Sequence, residues 1–278
     1  MNKSQEKKLE QMYHKAQSLM DMKKNDEAVL LFTQAAKDGY NQAMLTLGSM
    51  YYWGIGVEPD TDEAVYWLER DAALGSMVSI SNLGYVYSHL DDTKTNNRLA
   101  WEYYIESYKH DSKSAFYLGK LIFDNRAGKY KSEKQRLDEA KVFFKKAFDA
   151  GEIAAGVYLW KIALLSGESK ETADTYYHDG EALLESQQDY GVWAWNLLEL
   201  GEYEKALPYI EKCLSMEKPG EEIPPHLYTY AECLYGLGRK EDAERIFGLA
   251  LNAYRKIDKR KLVYEICDKM KSYGLKIE

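Results

Sequence analysis

Residues 41–76 read NQAMLTLGSMYYWGIGVEPDTDEAVYWLERDAALGS, and the reading of this stretch decides the fold. Ala43, Leu47, Gly48 and Tyr51 form one set of apolar and small residues, and Ala64, Trp67, Ala72 and Gly75 form a second. Within each set the steps stay close to three or four residues, which places the set on one face of a helix. Between them Gly54, Gly56 and Val57 form a loop. Thr61 is placed to cap the second helix, Asp62 and Glu63 sit in its positive first turn, and Gly75 suits a left-handed C-terminal cap. Gly48 and Ala64 are small where two helix axes must approach. The stretch therefore spells helix, loop, helix, stop.

The same wording recurs on either side. Ala28, Ala64, Ala100 and Ala140 stand at intervals of 36, 36 and 40 residues. Each is followed three positions on by a large apolar residue (Leu31, Trp67, Tyr103, Phe143), and eleven on by a turn residue (Gly39, Gly75, Asp111, Gly151). The pair Leu47–Gly48 returns as Leu83–Gly84 and Leu118–Gly119. A fixed period in this range marks a unit that cannot bury its apolar face alone and stacks on its neighbours. The sequence predicts an all-α chain, an α-solenoid of stacked antiparallel helix pairs with about seven units.

The pattern A-x-x-x-L-G-x-x-Y…G-x-G-V…D-E-A-x-x-W…A-x-x-G resembles the Sel1-like repeat. In the two following units Ser79 and Ser114 take the small first position and Asp111 replaces the last glycine, yet the register holds. Farther on, Ala194, Leu197, Gly201, Tyr203, Ala206, Ile210 and Cys213, then Ala231, Leu234, Gly238, Ala243, Phe247 and Ala250, resemble the related tetratricopeptide repeat. Residues 9–40, through Ala16, Leu19, Ala28 and Ala35, also fit a first tetratricopeptide-like unit. The chain accordingly reads as a Sel1-like array over 1–152, a divergent helix pair over 153–187, and tetratricopeptide-like repeats with a C-terminal capping helix over 188–278. In the divergent pair Trp160 stands where the small glycine belongs, and the next helix offers Ala173, Tyr176 and Tyr177 before Gly180. Either the pair packs farther apart with the indole as filler, or it marks a junction between the two kinds of repeat.

A compact core is near its size limit at 278 residues, whereas a solenoid grows by adding units. Of five prolines, Pro59, Pro219, Pro224 and Pro225 fall in expected loops and Pro208 early in a helix, where a missing N–H matters least. No run of eighteen apolar residues exists and Met1–Glu10 is polar and charged, so the chain reads as cytoplasmic and without a membrane partner. Cys213, Cys233 and Cys267 lack C-x-x-C spacing and lie on apolar helix faces, as buried free thiols do. A formal net charge of −8 argues against nucleic acid. The run Arg255, Lys256, Lys259, Arg260, Lys261 is the basic exception, and reads as a solvated helix face or dipole partner before it reads as a docking site.

Catalytic chemistry is hard to find. Gly54 and Gly56 resemble the start of a phosphate cradle but lack a third glycine, a following lysine and a preceding strand. His14, His89, His110, His178 and His226 show no metal-ligand spacing, and no G-x-S-x-G elbow occurs. Neither a catalytic residue, a metal site nor a cofactor is expected, and the chain reads as a non-enzyme.

What the resemblance implies is a groove. In such repeats the first helix of each unit faces the concave wall, and its non-core positions contact a client. Here those positions hold Tyr52, Trp53, Tyr85, His89, Lys120, Phe123, Trp195, Tyr228 and Tyr235. Rigid aromatics with a polar edge favour protein contacts, although each is equally readable as core packing displaced by one helical position. The expected function is a protein-interaction scaffold or adaptor for a peptide or protein partner. The alternatives are an inhibitor or immunity-type protein that caps one dedicated enzyme, for which an acidic surface suits a basic client, and, behind it, an enzyme or small-ligand regulatory domain.

Overall fold

The computed structural model describes residues 3–128, 130–218 and 223–277, and among these the chain is helical throughout, with no strand. Seven helix pairs follow one another, closed by a single helix. The pairs are α1 (Lys3–Asp21) with α2 (Asn25–Lys37), α3 (Asn41–Trp53) with α4 (Thr61–Ala72), and α5 (Met77–Ser88) with α6 (Lys94–Tyr108). Next come α7 (Ala115–Phe123), entered through a 3-10 turn at Ser112–Ser114, with α8 (Glu133–Asp149), and α9 (Ala155–Leu165) with α10 (Lys170–Glu181). The last are α11 (Gln187–Glu199) with α12 (Tyr203–Ser215), α13 (Pro224–Gly236) with α14 (Lys240–Lys256), and the closing α15 (Arg260–Ser272). No helix among the described residues is long and apolar enough to cross a membrane.

The recurring stop signal has one physical form at Gly39, Gly75 and Gly151, whereas Asp111, with φ of −135°, caps the 3-10 turn that follows it. After α4 the Ser76 N–H bonds the Asp71 carbonyl at 3.3 Å and the Gly75 N–H bonds that of Ala72 at 2.8 Å, which satisfies carbonyls the helix leaves open. That path requires the positive φ of 91° at Gly75, a conformation glycine adopts without a side-chain clash. At the other end of α4 the cap is Asp60, one residue before the expected Thr61, and its carboxylate accepts from the Glu63 N–H at 3.0 Å.

Between paired helices the small residues act as the spacing implied. A β-carbon on Gly48 would lie 2.6 Å from Leu68 Cγ, and one on Gly84 2.7 Å from the Tyr104 ring. Ser79, in the small first position of its unit, is fully buried and donates from Oγ to Asp71 at 2.6 Å.

The divergent pair does not open to admit its tryptophan. Its close approach moves one turn back, to Gly156: a β-carbon on Gly180 would fall 3.6 Å from the Gly156 Cα and 2.5 Å from the Trp193 ring. Trp160 is buried beside this crossing, 5.5 Å from the Tyr177 ring. The prolines differ as well. Pro224 and Pro225 form the first turn of α13, where the missing N–H groups have no helical acceptor. Pro208 falls in the second turn of α12, so the Glu204 carbonyl lacks its usual donor. Pro219 lies outside the described residues.

In space the chain forms two compact units. One comprises Met1–Ser107 with Tyr254–Glu265, the other Tyr108–Ala253 with Ile266–Glu278. This division passes through α14 and α15 and does not follow the repeat-type boundaries at 152 and 187. In the first unit Phe32, Leu47, Met50 and Trp67 lead one core, and Tyr52, Leu68, Leu83 and Val86 another. In the second, Trp160, Trp193, Ile210 and Cys213 share a core.

Within the first unit, Lys259, Arg260 and Lys261 of the basic run form an internal docking segment, while Arg255 and Lys256 are exposed in the last turn of α14, where a dipole partner belongs. Lys259 lies 5.1 Å from the Trp53 ring centroid, Lys261 lies 3.4 Å from that of Tyr52, and the Arg260 guanidinium reaches Glu58 at 2.8 Å. Burial lowers the pKa of Lys259 and, against the pull of Glu265, that of Lys261. Asp258, with φ of 53°, accepts from Asn25 Nδ2 and from the Gly56 N–H. The two loop glycines serve the turn between helices, with positive φ of 70° at Gly54 and 68° at Gly56, and they also leave room for close neighbours. A β-carbon at Gly56 would meet Asn25 Cβ at 2.5 Å, and one at Gly54 would meet Arg260 Cβ at 3.0 Å.

Candidate functional site

The nine positions singled out from the sequence fall into two groups, one in each unit. In the first unit Tyr52, Trp53, Tyr85 and His89 form a continuous aromatic run. Tyr52 stands 4.7 Å from Trp53 and 5.9 Å from Tyr85, which stacks on His89 at 3.9 Å. Tyr52 is buried in the core with Leu68 and Leu83, and Lys261 covers its ring. Its hydroxyl pKa is raised by burial and by Tyr85 and Glu265. Tyr52 is therefore a core residue, and Trp53 is half-buried beneath Lys259. The chain's own C-terminal segment fills the place where a client was expected, because aromatic faces attract desolvated cations. His89 is exposed and its Nδ1 lies 2.8 Å from the Tyr85 carbonyl.

In the second unit the expected positions join a row across the first helices of four successive pairs. Lys120 of α7 donates to Glu199 of α11 at 2.6 Å, and the Tyr158 hydroxyl of α9 donates to the same carboxylate oxygen at 3.1 Å. Phe123 lies edge-on to Tyr158 at 5.6 Å. One turn before Glu199, Trp195 projects from α11 with 38% of its surface exposed and lies 6.1 Å from Tyr228 of α13. Tyr235 stacks on Tyr273 of α15 at 3.6 Å. Apolar residues of the second helices, Phe144 and Phe247 among them, are fully buried beneath.

The charged groups of this row are of both signs and partly desolvated. Burial raises the carboxyl pKa of Asp124, Lys120 opposing and Glu199 adding to the rise. Tyr158 is held protonated by burial and by the neighbouring Glu199. What the row offers is a pair of tilted aromatic rings at Trp195 and Tyr228, their planes 40° apart, beside a Lys120–Glu199 pair. These are means of recognition. Burial pushes the Cys213 and Cys233 thiols up to about 12, with Glu217 and Glu232 adding to it, so neither is a thiolate at neutral pH.

The sequence pattern missed two members of this row, Tyr158 and Glu199. Tyr158 directly precedes Leu159 and was overshadowed by the anomalous Trp160. Glu199 lies at the end of its helix, four residues after Trp195, and that spacing on one helix face was the available signal. The pattern also missed the convergence of Cys213, Glu217 and His226 in the second unit.

Residues 12–40, 41–76 and 78–112 match the Sel1 repeat, and residues 194–219 match the tetratricopeptide repeat. The first unit, expected to be tetratricopeptide-like, is thus a Sel1 match, in keeping with its A-x-x-G ending at Ala36–Gly39 and the same capping turn that follows α4. The chain is similar to the chitin synthase regulator SKT5 of Saccharomyces cerevisiae, 34% identical over 90 residues. It is also similar to the ERAD-associated E3 ubiquitin-protein ligase component HRD3A of Arabidopsis thaliana, 29% identical over 92 residues. These stretches are 32% and 33% of this chain and only 13% and 14% of those relatives. Among solved structures, a Sel1 repeat protein from Oxalobacter formigenes superposes with a TM-score of 0.51 at 22% identity, covering 87% of this chain and 99% of that one.

Proposed function

We propose that this chain of Sel1-like and tetratricopeptide-like helix pairs is a non-enzymatic scaffold that holds a peptide or protein partner on the first-helix face of its second unit. The observation that carries this reading is the exposed indole of Trp195, set against Tyr228 and one turn from the Lys120–Glu199 pair. A large aromatic left on the surface beside a fixed polar pair, with the apolar layer completed beneath it, has the composition of an interface hot spot. Comparison adds support: the relatives are named as a regulator of one enzyme and as a component of another. The inner face of the first unit contributes less, because Tyr52 and Trp53 already carry Lys261 and Lys259.

Affinity capture with wild type and Trp195→Ala tests the reading. Loss of the indole is expected to weaken a captured partner by about 2 kcal/mol or more while helicity and melting temperature stay near wild type. The control is Trp67→Ala, a buried core residue whose truncation is expected to destabilise by about 3–5 kcal/mol. Unchanged partner affinity in Trp195→Ala, or unfolding comparable to Trp67→Ala, overturns the assignment of this face.

A further inference from the structure

The turn that closes α12 carries a group of side chains for which the scaffold function has no use. Cys213 lies in the last turn of α12, Glu217 four residues on, and His226 in the first turn of α13. Their ligand atoms all lie within 4.8 Å of one another. His226 Nδ1 is 3.3 Å from Cys213 Sγ and 2.6 Å from Glu217 Oε1. Cys213 is fully buried, and the His226 and Glu217 side chains are 13% and 2% exposed.

The three groups meet around a single nitrogen. The thiol donates to the Gln187 carbonyl at 3.3 Å, while His226 Nδ1 lies within hydrogen-bond distance of both Glu217 Oε1 and Cys213 Sγ. One sulfur, one imidazole nitrogen and one carboxylate oxygen thus converge within 4.8 Å of one another, as ligands do around a shared cation. The surroundings hold this geometry. Gly191 of α11 backs the imidazole so closely that a β-carbon there would stand 2.6 Å from Nε2, which directs Nδ1 toward the thiol and the carboxylate. Gln187 Nε2 donates to Glu217 Oε1 at 2.8 Å and the Ile223 N–H to Oε2 at 3.2 Å, fixing the carboxylate as outer partners fix a metal ligand.

We infer that Cys213, Glu217 and His226 form a binding site for a divalent transition ion of the zinc type. One sulfur, one imidazole nitrogen and one carboxylate oxygen are a donor set that zinc accepts, and three protein ligands leave a fourth position for water. Bond lengths of about 2.3 Å to sulfur and 2.0–2.1 Å to nitrogen at a tetrahedral angle place those two atoms about 3.6 Å apart. The separation here is 3.3 Å. Seating the ion requires the imidazole and carboxylate to part by about 1 Å, within the reach of side-chain rotation. Binding replaces the thiol proton of Cys213 with the ion and releases that proton to solvent; the imidazole coordinates through a deprotonated Nδ1, with its one proton on Nε2 and any second proton released with that of the thiol. The ion would join the end of α12 to the start of α13 across the connection between two repeats.

Cobalt(II) and zinc(II) added to the reduced, metal-stripped full chain test the site. Cobalt is expected to bind one per chain with a thiolate-to-metal charge-transfer band and the visible bands of a four-coordinate ion, and zinc to displace it. Cys213→Ser should abolish the charge-transfer band, and His226→Gln should weaken binding at least tenfold. Gln187→Ala, which only positions Glu217, should weaken it by about 10- to 100-fold while keeping the band at saturation. Cys233→Ser and Cys267→Ser should bind as wild type does. Zinc should also raise the melting temperature of the wild type and leave that of Cys213→Ser unchanged. Absence of a charge-transfer band in the wild type overturns the site, as does its persistence in Cys213→Ser, or its loss in Cys233→Ser or Cys267→Ser. Since His226 is not in the core, His226→Gln keeps the test decisive if Cys213→Ser fails to fold.

Discussion

Asp258 accepts a hydrogen bond from the backbone N–H of Gly56 at 3.1 Å, although 202 residues separate the two in sequence. The same carboxylate oxygen accepts from Asn25 Nδ2 at 2.9 Å, so one side chain ties the α14–α15 turn to both a helix start and a repeat loop. Asp258 holds this place at a positive φ of 53°, where most repeats here use glycine. Asp258→Gly is expected to relieve the backbone and lose the bonds, a net destabilisation of about 1–3 kcal/mol in urea unfolding. Asp258→Ala should be worse by about 1 kcal/mol, because alanine retains the left-handed penalty. A double-mutant cycle with Asn25→Ala should show coupling of about 0.5 kcal/mol or more, and strict additivity would show that the contact contributes nothing.

Two glycines in helices should respond in opposite directions to the same change. A β-carbon at Gly180 would sit 2.5 Å from the Trp193 ring, and Trp193 is fully buried, so Gly180→Ala should destabilise by about 1–3 kcal/mol. At Gly248, inside α14, a β-carbon would meet nothing within 4 Å. Gly248→Ala should therefore stabilise by about 0.5–1 kcal/mol through helix propensity alone. Thermal unfolding of the pair of variants checks both signs, and a common direction would mean that the crossing at Gly180 is not tight.

This pair also shows where the sequence is legible. Ala28, Ala64, Ala100 and Ala140 announce the helix pairs because every unit solves the same local packing problem with the same small residue, and local solutions leave a period. The Gly156–Gly180 crossing shifts that period by one turn, which is why Trp160 reads in the sequence as a filler between helices set farther apart or as a junction. Contacts made once have no period. Nothing in the basic run points to Tyr52 and Trp53, and nothing in C-x-x-x-E followed by a distant histidine announces that the first turn of α13 sets His226 beside Cys213. The candidate site was half visible for the same reason. Aromatic positions on first helices stand out by register, whereas Glu199, four residues after Trp195 on one helix face, is shown as the partner of Lys120 and Tyr158 only by their approach in three dimensions.

Acid should loosen α11 from its N-terminus. Burial raises the pKa of Asp189, but the Ser186 backbone and hydroxyl and the Glu185 N–H outweigh it, and the net shift is downward. These bonds make a reciprocal cap, in which the Asp189 N–H in turn donates to Ser186 Oγ at 3.2 Å. A carboxyl whose folded pKa lies below its unfolded value stabilises fully above the unfolded value, about 3.9 for aspartate, and that contribution disappears as the pH falls through the folded value. Amide exchange in the first turn of α11 should therefore accelerate, relative to the rest of the helix and after correction for intrinsic rates, as the pH drops below about 4. Asp189→Asn should remove most of this acid dependence, and an identical acid profile in the variant would assign the effect to other carboxyls.

Truncation after Gly238 should fail to give a shorter stable protein. In the first unit it removes Lys259 and Lys261 from Trp53 and Tyr52, together with the Asp258 tie to Asn25 and Gly56. In the second it removes Phe247, 5.8 Å from Tyr228, and Tyr273, stacked on Tyr235. A repeat array ordinarily loses stability one terminal unit at a time, because each unit touches only its neighbours. Here the excised segment contributes to both compact units, so removing it should expose aromatic surface in each. The expected result is strong binding of a hydrophobic dye and aggregation at micromolar concentration, measured by fluorescence and light scattering. A soluble monomer that melts cooperatively near the wild-type temperature would mean that residues 254–265 lie on the first unit without supporting it. Substitution of Lys259 and Lys261 by alanine separates the two causes: it leaves α14 in place and should lower the stability of the first unit while the second unit's melting stays as it was.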